Sequence, residues 1–456
     1  MRFLGRRNGL VLGVMAQFLQ YGAALLLLPL ILARLSPEQV GVWYIFVAVQ
    51  GLAMLMDFGF QPSFARSFAL VFSGSQELTK EGLTAAKGGT ANYALVAKVL
   101  LAARVIYAGA SLVVLVVLLT LGTLYIWSVV MSGGSLEQRD VMLAWVIFSF
   151  AVSVNLYLMW VSPLLIGADK VDKNYLYLIA NRGTFFLAGA VLLIQGYGLS
   201  GLAIAFLLGP LAARLAVAGF LHPILRDIRR AGEPDLRGAR KELVTIWHNS
   251  KKMGLVSIGA YLITRYNIFV VSHFIGLAAA ASYGLTVQVL MAISSISQMP
   301  FQINVPTMVR ARLGRNICSL RHIFLQSTTF YCICFTIGAV LLILAGDDLL
   351  VWVGSDTKLL EPGLVMLLSV IFLLEGNHAN SALTISTANK VPFVYPALLS
   401  GGAIFVLSTL SGFLGWGLLG VILSQGLVQL SYNNWKWPLM VAKEISSGAR
   451  SEVKCG

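Results

Sequence analysis

Residues 196–201 read GYGLSG, and residues 415–420 read GWGLLG. A second matching stretch begins 28 residues before the first hexapeptide and 27 residues before the second: residues 168–171 read ADKV, and residues 388–391 read ANKV. The two copies lie about 220 positions apart, so the chain contains an internal duplication. Because the repeated segments are almost wholly apolar, the duplication predicts two lobes embedded in a membrane.

The amino-acid composition also indicates a membrane protein. The 456 residues are 58% hydrophobic and only 11% charged, and the mean hydropathy is +0.82, which is more apolar than a soluble domain requires. About twelve apolar runs reach the length of about 20 residues that crosses a hydrocarbon core as a helix. They lie near residues 9–33, 40–62, 100–130, 141–166, 175–195, 199–223, 254–276, 282–305, 322–345, 363–385, 392–412 and 416–440. We therefore expect an all-α integral membrane protein with about 12 transmembrane helices.

Six of the expected helices fall in each half of the chain. An even number of crossings returns the chain to its starting side, so we expect two six-helix lobes of the same orientation, related by a pseudo-two-fold axis along the membrane normal. In this interpretation residues 1–224 form the amino-terminal lobe and residues 225–252 a basic cytoplasmic linker. Residues 253–456 form the carboxy-terminal lobe with a short cytoplasmic tail.

The net charge is +14, and the distribution of the basic residues along the chain agrees with the expected topology. With both termini in the cytoplasm, about 27 of the Lys and Arg residues fall at cytoplasmic helix ends, as the positive-inside rule requires. This placement excludes nucleic acid as the partner that the charge would suggest in a soluble protein. The basic residues of the linker can also hold anionic membrane lipids.

The sequence gives little reason to expect an enzyme. Both repeated hexapeptides match the GxGxxG pattern of dinucleotide-binding loops, but that pattern needs a preceding strand and a following acid, which are missing. We expect them to be tight turns between helices instead. The chain also lacks GxxxxGK[ST], so active transport would have to draw on an ion gradient or on the substrate's own gradient. We expect no catalytic residue, no cofactor and no metal site.

Polar residues inside membrane helices are costly and therefore suggest function. Arg265 is the strongest candidate, because it lies near the middle of the seventh expected helix, too deep to snorkel to either surface. Arg182 and Arg214 lie closer to an interface and could snorkel. Tyr261 and Asn267 could bind sugars, or could equally form hydrogen bonds between helices.

Only two acidic residues fall well inside the expected helices, Asp57 and Glu375. Glu375 and His378 are three residues apart and so share one helix face; Glu375 could carry a coupling proton or simply hydrogen-bond to other helices. An ion pair between Arg265 and Glu375 is the main alternative to substrate binding by Arg265.

The second expected helix carries a family resemblance. Residues 41–43 read GVW, residues 57–59 read DFG, and Arg66 and Ala69 follow. This pattern resembles the O-antigen flippases and polysaccharide exporters of the multidrug/oligosaccharidyl-lipid/polysaccharide superfamily. The resemblance covers the whole chain, including the basic central loop and the duplicated pattern. It implies a flippase of the bacterial inner membrane that moves an undecaprenyl-pyrophosphate-linked oligosaccharide by alternating access for O-antigen and lipopolysaccharide synthesis, alongside other polysaccharide assembly proteins.

The resemblance and the charge together single out Asp57 and Arg66. Nine residues separate them, so on a straight helix they would face opposite ways, and Pro62 is expected to end or kink the helix between them. We expect Asp57 to help close an inner gate and Arg66 to lie at the cytoplasmic mouth. A structural helix cap is an equal alternative.

Two other functions stay open. A cation-coupled multidrug exporter of the same fold should have an acidic cavity, whereas the interior has about three arginines against two acids. Such exporters often carry an acid in the first helix, and lipid II flippases of this superfamily carry arginines there and extra carboxy-terminal helices; this chain has none of these. A membrane-embedded O-antigen polymerase or ligase would be expected to have a sizeable periplasmic loop, and the outer loops here are short.

Overall fold

A computed structural model describes residues 12, 15–16, 19, 22, 25–78, 90–133, 136–232, 234, 236–314, 316–388 and 391–451. Within these residues the chain forms helices, joined by short turns, and no strand. The helices are α1 (Leu25–Arg34), α2 (Pro37–Met54), α3 (Phe60–Phe72), α4 (Tyr93–Val117), α5 (Thr123–Gly133), α6 (Gln138–Tyr157), α7 (Val161–Gly167), α8 (Val171–Ile194), α9 (Gly198–Ala216), α10 (Ala218–Arg230), α11 (Leu236–Thr264), α12 (Asn267–Phe274), α13 (Leu277–Ser297), α14 (Met299–Leu313), α15 (Ile317–Val353), α16 (Pro362–Ser386), α17 (Val394–Phe413), α18 (Gly417–Ser431) and α19 (Asn433–Ser451).

In the described part of the chain, 10 helical segments are long and apolar enough to cross a membrane. The other two of the twelve expected spans correspond to shorter described helices, α1 and the 15-residue α18. These ten segments and two shorter helices fit the expected arrangement of twelve helices in two sets of six. The prediction of an all-α, multi-pass membrane protein is confirmed.

Two helices extend well beyond the expected apolar runs. The continuous helix Tyr93–Met131 has 39 residues and α15 has 37, or more than about 55 Å at 1.5 Å per residue, against a hydrocarbon core of about 30 Å. Each of these helices begins directly after an asparagine that caps its amino terminus. Oδ1 of Asn92 accepts the backbone N–H of Leu95 at 3.1 Å, and Oδ1 of Asn316 accepts that of Ser319 at 2.8 Å, which satisfies one exposed donor of each helix.

Prolines break two spans, but not at the proline itself. The sequence predicts that Pro62 ends or kinks the helix between Asp57 and Arg66, and the chain turns within that interval, at Phe58 and Gly59, with left-handed φ angles of 47° and 73°. A proline ring clashes with the carbonyl four residues earlier, which is that of Phe58, so the distortion appears there. Pro163 has the same effect, because a tighter turn at Leu158–Trp160 separates α6 from α7.

The duplicated hexapeptides adopt the same conformation. Gly196 and Gly198 have φ angles of 86° and 52°, and Gly415 and Gly417 have 69° and 63°. In each turn the residue after the first glycine donates its backbone N–H to the carbonyl five residues earlier, at 3.0 Å. These turns join α8 to α9 and α17 to α18, as expected of tight turns between helices. The glycines supply the positive φ angles that the turns need.

The chain divides into two compact units. Unit 1 comprises residues 1–35 and 46–257, and unit 2 comprises residues 36–45 and 258–456. The lobe boundaries predicted at residues 224 and 252 stay a proposal. In unit 1, Phe148 packs between Phe46 and Phe206 with ring centroids 4.8 and 5.1 Å apart. In unit 2, one buried cluster joins α14, α15 and α19.

Candidate functional site

Glu375 lies in a chain of side-chain hydrogen bonds within unit 2. Its Oε1 accepts from Nε2 of Gln425 at 2.9 Å, and Oε1 of Gln425 accepts from Nδ2 of Asn267 at 3.1 Å. Oδ1 of Asn267 accepts from the hydroxyl of Ser408 at 2.8 Å. We call Glu375, Gln425, Asn267 and Ser408 the Glu375 network. Because Asn267 and Gln425 are buried and each uses both ends of its amide, the network ties α12, α16, α17 and α18 together.

Gln425 is one member of a polar stripe that the sequence interpretation overlooked. Gln425, Gln429 and Asn433 follow one another at four-residue intervals, which places neighbouring members on the same side of the chain. Oε1 of Gln429 accepts from Nδ2 of Asn433 at 2.7 Å, and Nε1 of Trp437 donates to Oδ1 of Asn433 at 3.1 Å. The regular spacing of buried amides in an apolar span was the signal that could have identified them.

His378 shares a helix with Glu375 but bonds elsewhere. Its Nδ1 lies 2.9 Å from Oδ1 of Asn434, on α19. Glu375 and His378 therefore have different partners, Gln425 and Asn434, on different helices. A coupling role for this pair stays a prediction.

Arg265 occupies a break between helices. α11 ends at Thr264 and α12 begins at Asn267, so Arg265 lies in the turn that joins them. It is the twelfth residue of the 21-residue span Gly254–Phe274, which places it near the middle of that span. Among the described residues no carboxylate lies within 4 Å of its guanidinium, so the alternative of an ion pair with Glu375 is not present in this structure.

Aromatic hydroxyls surround Arg265. Tyr261, one helical turn earlier, and Tyr283 on α13 both lie within electrostatic range of the guanidinium. Both tyrosines are buried, at 6% and 4% exposed. Asn267, a member of the Glu375 network, begins α12 two residues after Arg265, so Arg265 adjoins the network without pairing with its carboxylate. Of the predicted substrate residues, the structure brings Arg265, Asn267 and Tyr261 together.

Arg182 and Arg214 belong to unit 1 and have different surroundings. Arg182 is the twelfth residue of the 24-residue α8 and is half-buried. Beside it, α8 and α9 pack closely, because a Cβ on Gly209 would lie 2.8 Å from Oδ1 of Asn181. Arg214 lies on the last turn of α9, and its guanidinium carbon is 5.9 Å from the ring centroid of Trp160.

Asp57 acts as a helix cap in unit 1. Its Oδ1 accepts the backbone N–H of Gln61 at 3.0 Å and the hydroxyl of Tyr107 at 2.6 Å. The cap satisfies a donor at the start of α3, which is the alternative that the sequence left open. Arg66 lies on α3 beyond the break at Phe58 and is exposed. The gate assignments of Asp57 and Arg66 stay predictions.

One further arginine, Arg104, was not identified from the sequence. The guanidinium carbon of Arg104, on α4, lies 4.5 Å from the centroid of the same Trp160 ring. Arg104 falls inside the run 100–130, where any charged residue is costly, and that position was the available signal. The stacking on Trp160 could not be read from the sequence, because it depends on the break before Pro163.

The surroundings of Glu375 and those of Arg265 suit different chemistry. A carboxyl group held by neutral amides, as Glu375 is, can exchange a proton without breaking an ion pair. A guanidinium with no carboxylate partner, as in Arg265, can present its planar fork to a phosphate group. Both arrangements are compatible with binding an anion while a proton is exchanged.

Solved membrane transporters share this fold. The inward-facing conformation of a multidrug resistance MATE family transporter of the MOP superfamily aligns with a TM-score of 0.65 and 14% identity, covering 98% of this chain and 100% of that chain. Lipid II flippase MurJ, in an inward closed conformation, aligns with a TM-score of 0.57 and 11% identity, covering 98% and 93%. The MATE multidrug transporter DinF-BH, in complex with R6G, aligns with a TM-score of 0.58 and 13% identity, covering 97% and 96%.

The likeness is one of fold along nearly the whole chain. No family model matches the sequence, and no curated protein matches it. The chain therefore has the fold of MOP-superfamily transporters, a fold that both multidrug transporters and a lipid II flippase adopt. Fold alone does not distinguish between their substrates.

Proposed function

We propose that this protein is a transporter that flips an undecaprenyl-pyrophosphate-linked oligosaccharide, an O-antigen or related repeat unit, across the bacterial inner membrane by alternating access. Both termini lie in the cytoplasm in this proposal, and its partners are the lipid-linked substrate, membrane lipids and other polysaccharide assembly proteins. The transporter fold supports a non-enzymatic role over that of a polymerase or ligase.

One observation carries the choice of substrate. Arg265, near the middle of a membrane span, has no carboxylate partner among the described residues. A charge in that position costs about 3 kcal/mol on insertion scales unless something compensates it. A diphosphate supplies the compensating charge and matches the guanidinium fork. The tyrosines beside Arg265 offer hydroxyls and ring faces to sugars.

A cation-coupled multidrug exporter is the second candidate, and the likeness to MATE transporters favours it. Cationic drugs would need a carboxylate that is available to pair with them. Glu375, inside the span Pro362–Ser386, and Asp57, at the end of the span Pro37–Asp57, already accept hydrogen bonds from Gln425 and Tyr107. The surplus of arginines in the spans therefore favours an anionic substrate.

The test measures the movement of a lipid-linked oligosaccharide and the transport of a cationic drug with the same purified protein. Proteoliposomes containing the purified protein receive an undecaprenyl-pyrophosphate-linked oligosaccharide with a fluorescent sugar label, and a membrane-impermeant quencher reports its leaflet. Matched proteoliposomes receive rhodamine 6G and a cation gradient. We expect protein-dependent movement of the labelled oligosaccharide and none of the dye. Gradient-driven transport of the dye without movement of the oligosaccharide would contradict the proposal and support the exporter.

The matched variants are Arg265→Ala and Arg226→Ala. Arg226 is exposed and lies 3.9 Å from Asp227 on α10, so its removal tests for a general effect of lost positive charge. We expect the first variant to lose oligosaccharide movement and the second to retain it.

A further inference from the structure

Two arginines from different helices share one buried indole ring in unit 1. The guanidinium carbons of Arg104 and Arg214 lie 4.5 and 5.9 Å from the ring centroid of Trp160, which is only 3% exposed. Cations stack favourably on indole faces at such distances. The ring therefore fixes the positions of both charges.

A third arginine approaches the same place. Arg229, on α10, lies within electrostatic range of Arg104, as Arg214 does. In the part of the chain that the structure describes, none of these three arginines has a carboxylate oxygen within 4 Å. Three like charges in one region repel one another, so the arrangement is unfavourable until an anion joins it.

Two buried hydrogen-bond donors in this region lack acceptors within the described part of the chain. Nε of Arg104 and Nε1 of Trp160 are both buried, and neither has an acceptor among the residues that the structure describes. A buried donor without an acceptor costs free energy, and native structures rarely leave two beside each other. A ligand with several acceptor oxygens would satisfy both donors and the charges together.

The cluster lies at one membrane surface. Arg214 is on the last turn of α9, two residues before its end. The next helix, α10, packs on α4 and α9, buries Leu221 and Ile228, and leaves Arg229 exposed. An amphipathic basic helix of this kind lies along the boundary between lipid and water. Exposed apolar side chains on α4 begin at Val105, directly after Arg104.

The last turn of α10 is basic as well. It carries Arg229 and Arg230, and both are exposed. Nζ of Lys173 lies 4.3 Å from the ring centroid of Phe220 on α10, but it is paired with Asp172 at 2.9 Å and adds no free charge. Charges of this sign at headgroup depth attract anionic lipids.

We propose that Arg104, Arg214 and Arg229, with the Trp160 indole, form a binding site for the phosphate head of a membrane amphiphile. The phosphate oxygens accept from the guanidinium groups and from the free indole N–H, and the acyl or prenyl chain lies along the apolar face of α4. This site is in unit 1 and separate from Arg265, and it does not depend on the proposed transport activity.

Native mass spectrometry of the delipidated full chain in detergent tests the site. One arm titrates phosphatidylglycerol, a second titrates undecaprenyl phosphate, and phosphatidylcholine serves as the zwitterionic reference. We expect the double variant Arg104→Gln with Arg214→Gln to bind the first anionic lipid roughly tenfold more weakly than the parent, the size expected for losing a charge-assisted hydrogen bond. Arg310→Gln, at an exposed arginine of α14 in unit 2, should bind like the parent.

The double variant Arg104→Lys with Arg214→Lys keeps the charges but loses the planar forks. It should melt at the temperature of the parent and bind with an intermediate affinity, which separates loss of the site from loss of the fold. Preference for phosphatidylglycerol would identify a phospholipid, preference for undecaprenyl phosphate a polyprenyl carrier, and equal binding the phosphate alone. Binding by the Gln double variant with the parent's affinity, or no preference of the parent for either anionic lipid over phosphatidylcholine, would overturn the proposal.

Discussion

The hydroxyl of Tyr107 donates to Oδ1 of Asp57 at 2.6 Å, joining the middle of α4 to the break between α2 and α3. The same oxygen accepts the backbone N–H of Gln61. Asp57 thus holds a helix start and a neighbouring helix together at one point. Tyr107 is fully buried, so its hydroxyl has no access to water if Asp57 is removed.

This geometry predicts that Asp57→Ala destabilises the protein more than Asp57→Asn does. Asparagine keeps an oxygen at Oδ1 for both donors, whereas alanine leaves the Tyr107 hydroxyl and the Gln61 N–H without an acceptor, at a cost of about 1–3 kcal/mol. Thermal unfolding in detergent measures the difference, and Tyr197→Phe, at an exposed tyrosine, is the control. If Asp57→Asn keeps its stability but loses transport, the charge itself is needed and the gate assignment gains support. Equal unfolding temperatures for Ala and Asn would contradict the cap.

A second prediction concerns Arg312 on α14. Its guanidinium donates to both carboxylate oxygens of Glu444, to Oγ1 of Thr387 at 2.6 Å and to the carbonyl of Thr384 at 3.1 Å. Its side chain is 12% exposed and that of Glu444 is 39% exposed, so these bonds are partly shielded from water. We expect Arg312→Ala to lower stability by about 2–4 kcal/mol, because it leaves several partly buried acceptors without donors.

The matched control for Arg312 is Arg310→Ala on the same helix. Arg310 is exposed and donates to Oγ1 of Thr307 at 3.2 Å, and exposed pairs contribute little. We therefore expect almost no change in unfolding temperature from Arg310→Ala. If Arg310→Ala lowers the unfolding temperature as much as Arg312→Ala does, the positive charge of the helix, and not the bonds to Glu444, determines the stability.

The fold was more predictable than the site, and the repeat shows why. Apolar runs and matching glycine turns depend on local sequence, so the number of spans and the turn at Gly196 followed from the sequence. Hydrogen bonds such as that between Gln425 and Glu375 join helices 50 positions apart, and no local pattern specifies which faces meet. The alternative that Arg265 pairs with Glu375 could not be judged from the sequence for the same reason, and in this structure Gln425 donates to the carboxylate of Glu375.

The positions at which helices end were also hard to predict from the sequence. Pro62 was expected to end or kink the helix between Asp57 and Arg66, but the sequence did not give the residue at which the chain turns. That residue is Phe58, because the ring clashes with the carbonyl four residues earlier. The break between α11 and α12 at Arg265 has no proline near it, and composition gave no sign of it. It separates two helical segments that the apolar pattern joined into one.

A third prediction uses the Glu375 network. Glu375→Gln keeps an acceptor oxygen for Nε2 of Gln425, so its stability should stay within about 1 kcal/mol of the parent. Gln425→Leu removes the partner of both Glu375 and Asn267, which are on separate helices, and should cost about 2 kcal/mol or more. Thermal unfolding in detergent compares the two. The reverse order of stability would show that the network does not hold these helices together.

The Glu375→Gln variant also tests proton coupling. In proteoliposomes with and without a pH gradient, we expect the parent to be stimulated by the gradient and Glu375→Gln to be insensitive to it, because an amide cannot take up the proton. Equal stimulation of both proteins would remove Glu375 from the coupling role. Asn434→Ala, which deprives His378 of its partner, tests whether the histidine contributes separately.

A fourth prediction concerns topology. The distribution of Lys and Arg predicts that the turn after α10 faces the cytoplasm and that the turn between α15 and α16 faces the periplasm. Reporter fusions at Ala231 and Asp356, both in these turns, should be active only as cytoplasmic and periplasmic reporters, respectively. The opposite result at either position would invalidate the assignment of both termini to the cytoplasm.

The last prediction concerns Arg265 and follows from its separation from Glu375. Arg265→Ala should abolish oligosaccharide movement at a normal protein level, and Arg265→Lys should restore part of it, because an amine cannot make a bidentate contact with phosphate. Since no ion pair joins the two residues in this structure, the double variant Arg265→Ala with Glu375→Ala should be no more active than Arg265→Ala alone. Recovery of transport in the double variant would show that the two charges compensate each other in some state of the cycle. Arg265 would then be a structural partner of Glu375, and the phosphate contact would have to be assigned to another residue.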